Sequence, residues 1–527
     1  MDGVARFWEK LGAAPRRRLV LGSVGADQLL ALAGLTSNGA PGLALDVLAA
    51  AWADSPLDGA LAQTLAATSS RLRRPLPLPV ADLLKAQANF WKPAGADDPW
   101  RSATGGQRGD ILASRLRQAP RNLFWKLAAW DAAWPDADWA LAEAVLEEGG
   151  WPRTLAPLRH RFAAMARLCM GDAHAALAEL NAAAPLDRFI DGAPLRATCL
   201  LRMGRRDEAA QVLRDCVLRA PWRVNELLRL SDLVCGADED ARPVPGSCAI
   251  LLYSFNKATE LDQTLASLAA SELSGAPIFA LDNGSTDATP RVLAQWRERL
   301  DGRLSVVTLP VNIGAPAARN WLLALPELRG FEYLAFVDDD VSLPTDWLSR
   351  LGAAALRLPE ASVWGCRVVE EACPLVVQNV DYTPLAPQPG EQLLVLANLH
   401  RGAPDLGRFD YLRPCVSVTG CCHLLRAADI PRVGGFDIRF SPSQYDDLER
   451  DLRVFLAGGH AAYQGHLAVR HKRRSGAQAQ RSAAEIGGAT ANAHKLQTKH
   501  TLEDFRTLHE RGAELLERDF LRRIAAL

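Results

Sequence analysis

The sequence has no surplus of charge. Its 527 residues carry 60 Lys and Arg against 61 Asp and Glu, a formal net charge of −1. That balance gives no support to a nucleic-acid binder, which would show a basic excess. Long apolar runs are missing as well. No stretch approaches the roughly 20 residues needed to span a bilayer, so no transmembrane segment is expected. The opening "MDGVARFWEKLGAAPRRR" lacks the apolar core of a secretory signal. The ten cysteines form no CxxC pair, and only Cys421 and Cys422 are adjacent. This argues against a disulfide framework or a zinc site and for reduced thiols serving as small core residues. The expected location is the cytoplasm, peripheral association with the inner membrane face included.

What is present is ordinary globular material, 49% hydrophobic and 23% charged, in a chain long enough for two to four domains. It divides near residue 240. The acidic, then Pro/Gly-rich "CGADEDARPVPGS" (235–247) has linker chemistry. The expected division is a helical domain over 1–240, an α/β domain over 247–480 and a helical tail over 481–527. The first part is rich in Ala, Leu, Trp and Arg at helical spacing. "MGDAHAALAEL" (170–180) and "MGRRDEAAQVL" (203–213) share a pattern, with Gly171 and Gly204 33 residues apart, and "NGAPGLALDVL" (38–48) repeats it loosely. This is similar to the tetratricopeptide helix–turn–helix repeat, whose period is about 34 residues. A non-repetitive alanine-rich helical domain is the alternative. Trp125, Trp130, Trp134 and Trp139 either pack a core or line a groove.

After the linker, four near-continuous apolar runs appear: "AILLYSF" (249–255), "PIFALDN" (277–283), "LSVVTLP" (304–310) and "YLAFVDDD" (333–340). Helical patterns separate them. Strands apolar on both faces and alternating with helices indicate a parallel sheet covered on both sides. Ligands bind such sheets beyond the carboxyl ends of the strands. The conspicuous polar motifs all sit there: "SFN" (254–256), "DNGSTD" (282–287), "NIGAPAARN" (312–320) and the triplet Asp338–Asp339–Asp340.

If the strand continues through the triplet, Asp338 and Asp340 share a face and Asp339 points away. Two carboxylates on one face suit a hard cation such as Mg2+ or Mn2+, which would also hold a diphosphate. The bland alternative is a polar strand end leading into a turn, with Thr345 capping a helix from about Asp346. A second acidic cluster lies in "SPSQYDDLERDLRVFLAGG" (441–459). Ser443 can cap a helix there, placing Asp446 and Asp447 in its first turn, where the helix dipole favours ionised carboxylates. An ionised carboxylate is the expected base for an attacking hydroxyl. Asp446–Arg450 and Glu449–Arg453 also have the spacing of surface ion pairs.

The ordered motifs "YSFN", "LDNGSTD", "NIGAPAARN", "FVDDDVSLP", "VTGCCHLLR", "GGFD" and "YDDLERDLR" resemble a family 2 glycosyltransferase of the GT-A fold, over about residues 247–475. The resemblance implies an inverting enzyme that uses a nucleotide-diphosphate sugar, a UDP-sugar by the aspartate at 282, and a divalent metal. It implies that Ser254, Phe255 and Asn256 cradle the nucleotide, with Tyr253 where the family usually has proline. Asp282 would receive the uracil edge, Asn283 stands for a frequent second aspartate, and Gly284 forms the turn. Gly314 and Arg319 would pack near the nucleotide, Arg319 alternatively anchoring the fold through a carboxylate. Asp338 fits a ribose or metal-water contact, Asp339 belongs to the same nucleotide-binding turn, and Asp340 fits the direct metal ligand. His471 would complete the metal shell, with Asp338 and Asp340. Asp447 matches the catalytic base and Asp446 its neighbour. Thr419, Gly420 and Glu449 fall on the acceptor side. Lys472, Arg473 and Arg474 either neutralise the leaving diphosphate or form a surface patch.

The expected fold is therefore an α/β GT-A domain with a mostly parallel sheet, preceded by an all-α, tetratricopeptide-like domain. Two other classes compete. A nucleotidyltransferase usually carries a Gly-rich, Arg-containing loop after the first strand, which "SFNKATELD" lacks. A non-catalytic scaffold would bind a partner through its helical repeats. A helical domain fused to a sugar-transfer domain suggests a protein acceptor, flagellin-like or another polypeptide, or a glycan; a homodimer through the helices is also open.

Overall fold

Burial on both faces makes the first strands after the linker. Ile278–Asp282 (β2) is buried at every position, and Cys248–Ser254 (β1) and Tyr333–Val337 (β4) nearly so. Leu304–Thr308 (β3) is exposed at two of its positions, as its place at the sheet edge requires. Ala258–Ala269 (α1), Thr289–Arg299 (α2) and Ala315–Leu323 (α3) return the chain between them. Each strand is parallel to its neighbour in the order β3-β2-β1-β4.

The computed structural model describes residues 1–22, 26–36, 39–183, 192–371, 376–387, 394–396, 404–472 and 482–527, without the side chains of residues 27, 136, 148 and 484. Beyond β4 follow Val341–Ser342 (β5), Trp347–Arg357 (α4), Val363–Glu370 (β6) and Val377–Asn379 (β7). Then come Leu412–Cys415 (β8), Cys422–Arg426 (β9), Asp446–Leu456 (α5) and Ala461–His471 (β10). Ala483–Lys499 (α6) and Leu502–Ala526 (α7) close the chain. β9 is antiparallel to β4 and β6, β10 is parallel to β6, and β5 forms the other edge of the ten-stranded sheet. Leu261, Leu265, Leu268, Leu293, Trp347 and Leu351 bring α1, α2 and α4 onto the sheet. Each such side chain contributes about 1.5–3 kcal/mol on burial. The tail helices form part of the same unit: Leu496, Phe505 and Leu508 pack with Leu448, Leu452 and Phe455 of α5.

The chain divides into two compact units. One comprises Met1–Val234, Gly402–Arg408 and Ile524–Leu527; the other Cys235–Arg401 and Phe409–Arg523. Over Met1–Val234 the described residues form helices and no strand. The two "MG" motifs end helices Ala156–Cys169 and Gly192–Arg202 in the same way. Asp172 N–H bonds the Arg167 carbonyl and Arg205 N–H the Leu200 carbonyl, both 2.9 Å, which is the six-to-one bond of a Schellman turn. Ala176 and Ala209, five residues after the glycines, are fully buried, as are Leu180 and Leu213. Three of the four tryptophans are core: Trp130 meets Trp134 edge-to-face at 5.1 Å and Phe162 at 4.7 Å, and Trp125 is buried too, while Trp139 is half-buried against Trp134.

Candidate active site

The aspartate triplet is a turn, not a continued strand. β4 stops at Val337, and the hydroxyl of Thr264 in α1 accepts the Val341 N–H (3.1 Å) just past the triplet. The alternation argument for Asp339 therefore fails. Asp339 does not point away from the cluster: it is 6% exposed and receives Lys257 Nζ on Oδ1 at 3.0 Å. The same ammonium lies 2.6 Å from Asp340 Oδ2. Asp338 and Asp340 do converge, with His471 at the end of β10. One ligand atom from each lies within 4.8 Å of the others. His471 Nε2 is 3.0 Å from Asp340 Oδ1, and its Nδ1 meets Gln378 Oε1 at 2.8 Å. Burial alone would raise the Asp340 carboxyl, but His471 and Lys257 hold it well below the usual carboxylate range. Burial pushes Asp338 up to about 6 against the pull of Arg319. Two carboxylates and an imidazole whose other nitrogen is fixed by a buried amide fit Mn2+ or Mg2+.

The predicted nucleotide loop is built at the ends of β1 and β2. Ser254 is fully buried, while Phe255 is exposed. Asn256 adopts φ +53°; its N–H donates to Ser285 Oγ (3.0 Å) and its side-chain oxygen accepts from Thr286 N–H (2.8 Å). Asp282 Oδ1 accepts the Ser285 N–H at 3.0 Å, whereas its buried Oδ2 has no partner. An acceptor left unpaired at 1% exposure calls for a donor from a ligand. Asn283 is spent internally: its amide donates to Asn312 Oδ1 (2.9 Å) and accepts from Ile313 N–H (3.0 Å). Gly284 has φ +76°, and a Cβ there would lie 2.5 Å from the Val311 carbonyl carbon. Gly314 is the N-cap of α3, its N–H bonded to Asn312 Oδ1 (2.8 Å).

Arg319 joins the two acidic clusters. One guanidinium nitrogen donates to Asp446 Oδ2 (2.6 Å) and the other to Asp338 Oδ1 (3.1 Å). The group lies over the rings of Tyr253 (5.4 Å) and Phe436 (5.2 Å). The carboxylate-anchoring role left open in the sequence is thus present, on two carboxylates. On α5, Asp447 is half-buried; Oδ2 accepts the Gly420 N–H (2.7 Å) and Oδ1 the Leu448 N–H (2.8 Å). A Cβ at Gly420 would stand 2.7 Å from the Asp447 Cβ, so only glycine lets the turn after Thr419 come this close.

Several expectations are corrected. Tyr445, not Ser443, occupies the N-cap of α5, with no side-chain cap. Asp346, not Thr345, precedes α4, again without a side-chain cap bond. Glu449 does not face an acceptor: it is fully buried and bound by Arg453 (2.9 Å) and Lys499 (2.5 Å). Asp446 pairs with Arg319, not with Arg450. Lys472 contributes its backbone N–H to the Asp340 carbonyl (2.8 Å); Arg473 and Arg474 lie outside the described residues. Cys421 and Cys422, by contrast, are buried as the reading of small core thiols requires, and His423 beside them packs in the core, stacked with Phe436.

Two residues went unnoticed. Lys257 directly follows the quoted "SFN", the one sequence signal available. Asp451, one turn beyond Asp447, accepts from Ser417 Oγ (2.8 Å) and Val418 N–H (3.2 Å), and burial pushes it up to about 7.

A parallel-rich sheet of this order, with an acidic turn at the rim of its parallel half, defines an α/β domain of the GT-A type. Residues 249–405 match Glycosyl transferase family 2, and the chain carries a domain of that family. The O-antigen biosynthesis protein RfbC of Myxococcus xanthus is 29% identical over 225 residues, covering 41% of this chain and 16% of RfbC. Among solved structures, GalNAc-T7 with UDP, GalNAc and Mn2+ is similar at 12% identity and TM-score 0.36, covering 45% of each chain. The mannosyltransferase PcManGT of Pyrobaculum calidifontis, with GDP-Man and Mn2+, is similar at 14% identity and TM-score 0.36, covering 57% of this chain and 85% of that one. Among the described residues no helix is long and apolar enough to cross a membrane.

Proposed function

We propose that the protein is an inverting glycosyltransferase that moves a sugar from a nucleotide-diphosphate sugar, a UDP-sugar, to a hydroxyl of a glycan or protein acceptor. The observation that carries this is the Arg319 bridge. It sets the helix bearing Asp447 against the acidic turn at Asp338. Donor and acceptor groups are thereby held in one place, as a displacement requires.

Asp282 Oδ2 offers an acceptor for a base N–H, and the glycine turn at 284 admits the nucleotide against backbone. Asp338, Asp340 and His471 would hold a divalent cation, which when bound neutralises charge on a leaving diphosphate. Asp447 takes the acceptor proton: each of its oxygens holds only one backbone N–H, leaving lone pairs free. Asp446 is committed to Arg319, so it is not free to act as a second carboxylate nucleophile. That leaves a single displacement with inversion. The name of the RfbC relative favours a glycan over a polypeptide acceptor.

The test is a thermal-shift screen of UDP-, GDP- and dTDP-sugars with Mn2+, followed by NMR of the transfer product. A UDP-sugar should raise the midpoint, since a ligand at 100 times its Kd stabilises by about 2.7 kcal/mol. Asp282→Ala should abolish that shift and Asp447→Asn should abolish transfer. Retained anomeric configuration in the first-formed product would overturn the mechanism.

A further inference from the structure

The acidic turn carries a cation of its own. Lys257 Nζ binds Asp339 Oδ1 at 3.0 Å and Asp340 Oδ2 at 2.6 Å, while Asp340 Oδ1 faces His471. The lysine is held at its root by the nucleotide loop. The N–H of the preceding Asn256 donates to Ser285 Oγ (3.0 Å), and that of the following Ala258 to Asp287 Oδ2 (3.1 Å). Its side chain is 33% exposed while its ammonium sits on both buried carboxylates. Lys257 thus neutralises one charge of the three carboxylates in the turn, and Arg319, which Asp338 shares with Asp446, offsets part of another before any divalent ion binds.

We infer that Lys257 is a tethered counter-ion that keeps the Asp338–Asp340–His471 site weak for a divalent cation until a nucleotide diphosphate arrives. It is a positioning residue that makes metal and donor bind together. The inference rests on the proposed reading of these residues as metal and nucleotide sites. A divalent ion at Asp340 meets a monocation already held on the same carboxylate, and like charges at such range repel strongly in a part-buried setting. A diphosphate adds negative charge that serves both cations. By linkage, the factor by which nucleotide tightens the metal is the factor by which metal tightens the nucleotide.

The experiment is a Mn2+ titration of the full chain, free Mn2+ being read by electron paramagnetic resonance, with and without UDP. The wild type should bind Mn2+ weakly alone and at least tenfold tighter with UDP. Lys257→Met should tighten nucleotide-free Mn2+ at least fivefold and shrink the UDP effect. Lys257→Met with Asp339→Asn restores the charge balance and should return nucleotide-free affinity toward wild type. If Lys257→Met fails to fold, Lys257→Gln, which keeps a polar N–H donor on a shorter stem and removes the charge, carries the same expectation. A lysine that merely braces the turn would give the opposite sign: its loss would weaken nucleotide-free Mn2+ or leave it unchanged, and either result overturns the inference. UDP-dependent Mn2+ binding in the wild type alongside that result would leave the metal site standing. No Mn2+ binding even with UDP would overturn both.

Discussion

Replacing Arg319 with methionine keeps an apolar stem between the Tyr253 and Phe436 rings and removes the charge. It strands two carboxylates. Asp446, 2% exposed, loses its 2.6 Å partner, and Asp338 loses a 3.1 Å one. Breaking a buried ion pair by removing one partner costs about 3–5 kcal/mol, because the other charge remains buried. For a unit of this size each kcal/mol shifts the midpoint by about 2–4 °C, so the loss should be roughly 10 °C in the transition of the unit containing Arg319. Calorimetry reads it directly. Arg319→Lys, whose single ammonium cannot fork to both carboxylates, should recover only part of the loss.

The decisive variant is the double one. If stranded charge is the cause, Arg319→Met with Asp446→Asn should be more stable than Arg319→Met alone by several tenths to a few kcal/mol, a coupling of the kind contacting residues show. Burial already pushes Asp446 upward and Arg319 opposes it, so Asp446 in Arg319→Met should take up its proton at higher pH than in the wild type. If the single and double variants were equally destabilised, the ring contacts rather than the ion pairs would be the source of stability, and the coupling of donor turn to base helix would lose its basis.

Asp451 sets a pH dependence. A carboxyl titrating near 7 when folded and about 3.9 when unfolded favours the fold below pH 4, and ionising it costs roughly 4 kcal/mol by the time pH passes 7. The melting temperature of Asp451→Asn relative to wild type should therefore rise between pH 4 and pH 8; a flat difference would count against a buried neutral carboxyl. Gly284→Ala puts a Cβ 2.5 Å from the Val311 backbone, whereas Gly302→Ala, at the same φ of +76°, meets nothing within 4 Å. UDP binding by calorimetry should fall at least tenfold in the first and stay unchanged in the second. Glu449→Gln loosens the anchor of α5 to Lys499 of α6 and the pair with Arg453 one turn on in α5 itself; it should lower the melting temperature and kcat while leaving the acceptor KM alone. A raised acceptor KM in a fully stable variant would return Glu449 to the acceptor side.

The strands of the parallel half were legible because burial on both faces leaves an unbroken apolar run, as "IFALD" shows for β2. The site was legible wherever its chemistry is local. Asp338 and Asp340, two residues apart, do converge; His471, 131 residues on, joins them where the family resemblance and not local sequence had put it. The two helix starts were misplaced by one or two residues, but the misread charged residues share one physical cause: the deciding partner lies far along the chain. Thr264 of α1 binds the backbone past the triplet, so strand alternation could not foresee that Asp339 turns toward Lys257, 82 residues away. Glu449 looks like a functional acid beside Asp447 until Lys499 arrives from a helix in the tail. Arg319 could be read as a nucleotide contact or a carboxylate anchor, and the anchor becomes visible through Asp338 and through Asp446, a partner 127 residues on. A charged residue in a site motif therefore carries two readings, ligand contact or internal strut. What separates them is whether folding delivers an opposite charge to that side chain, which local sequence does not encode.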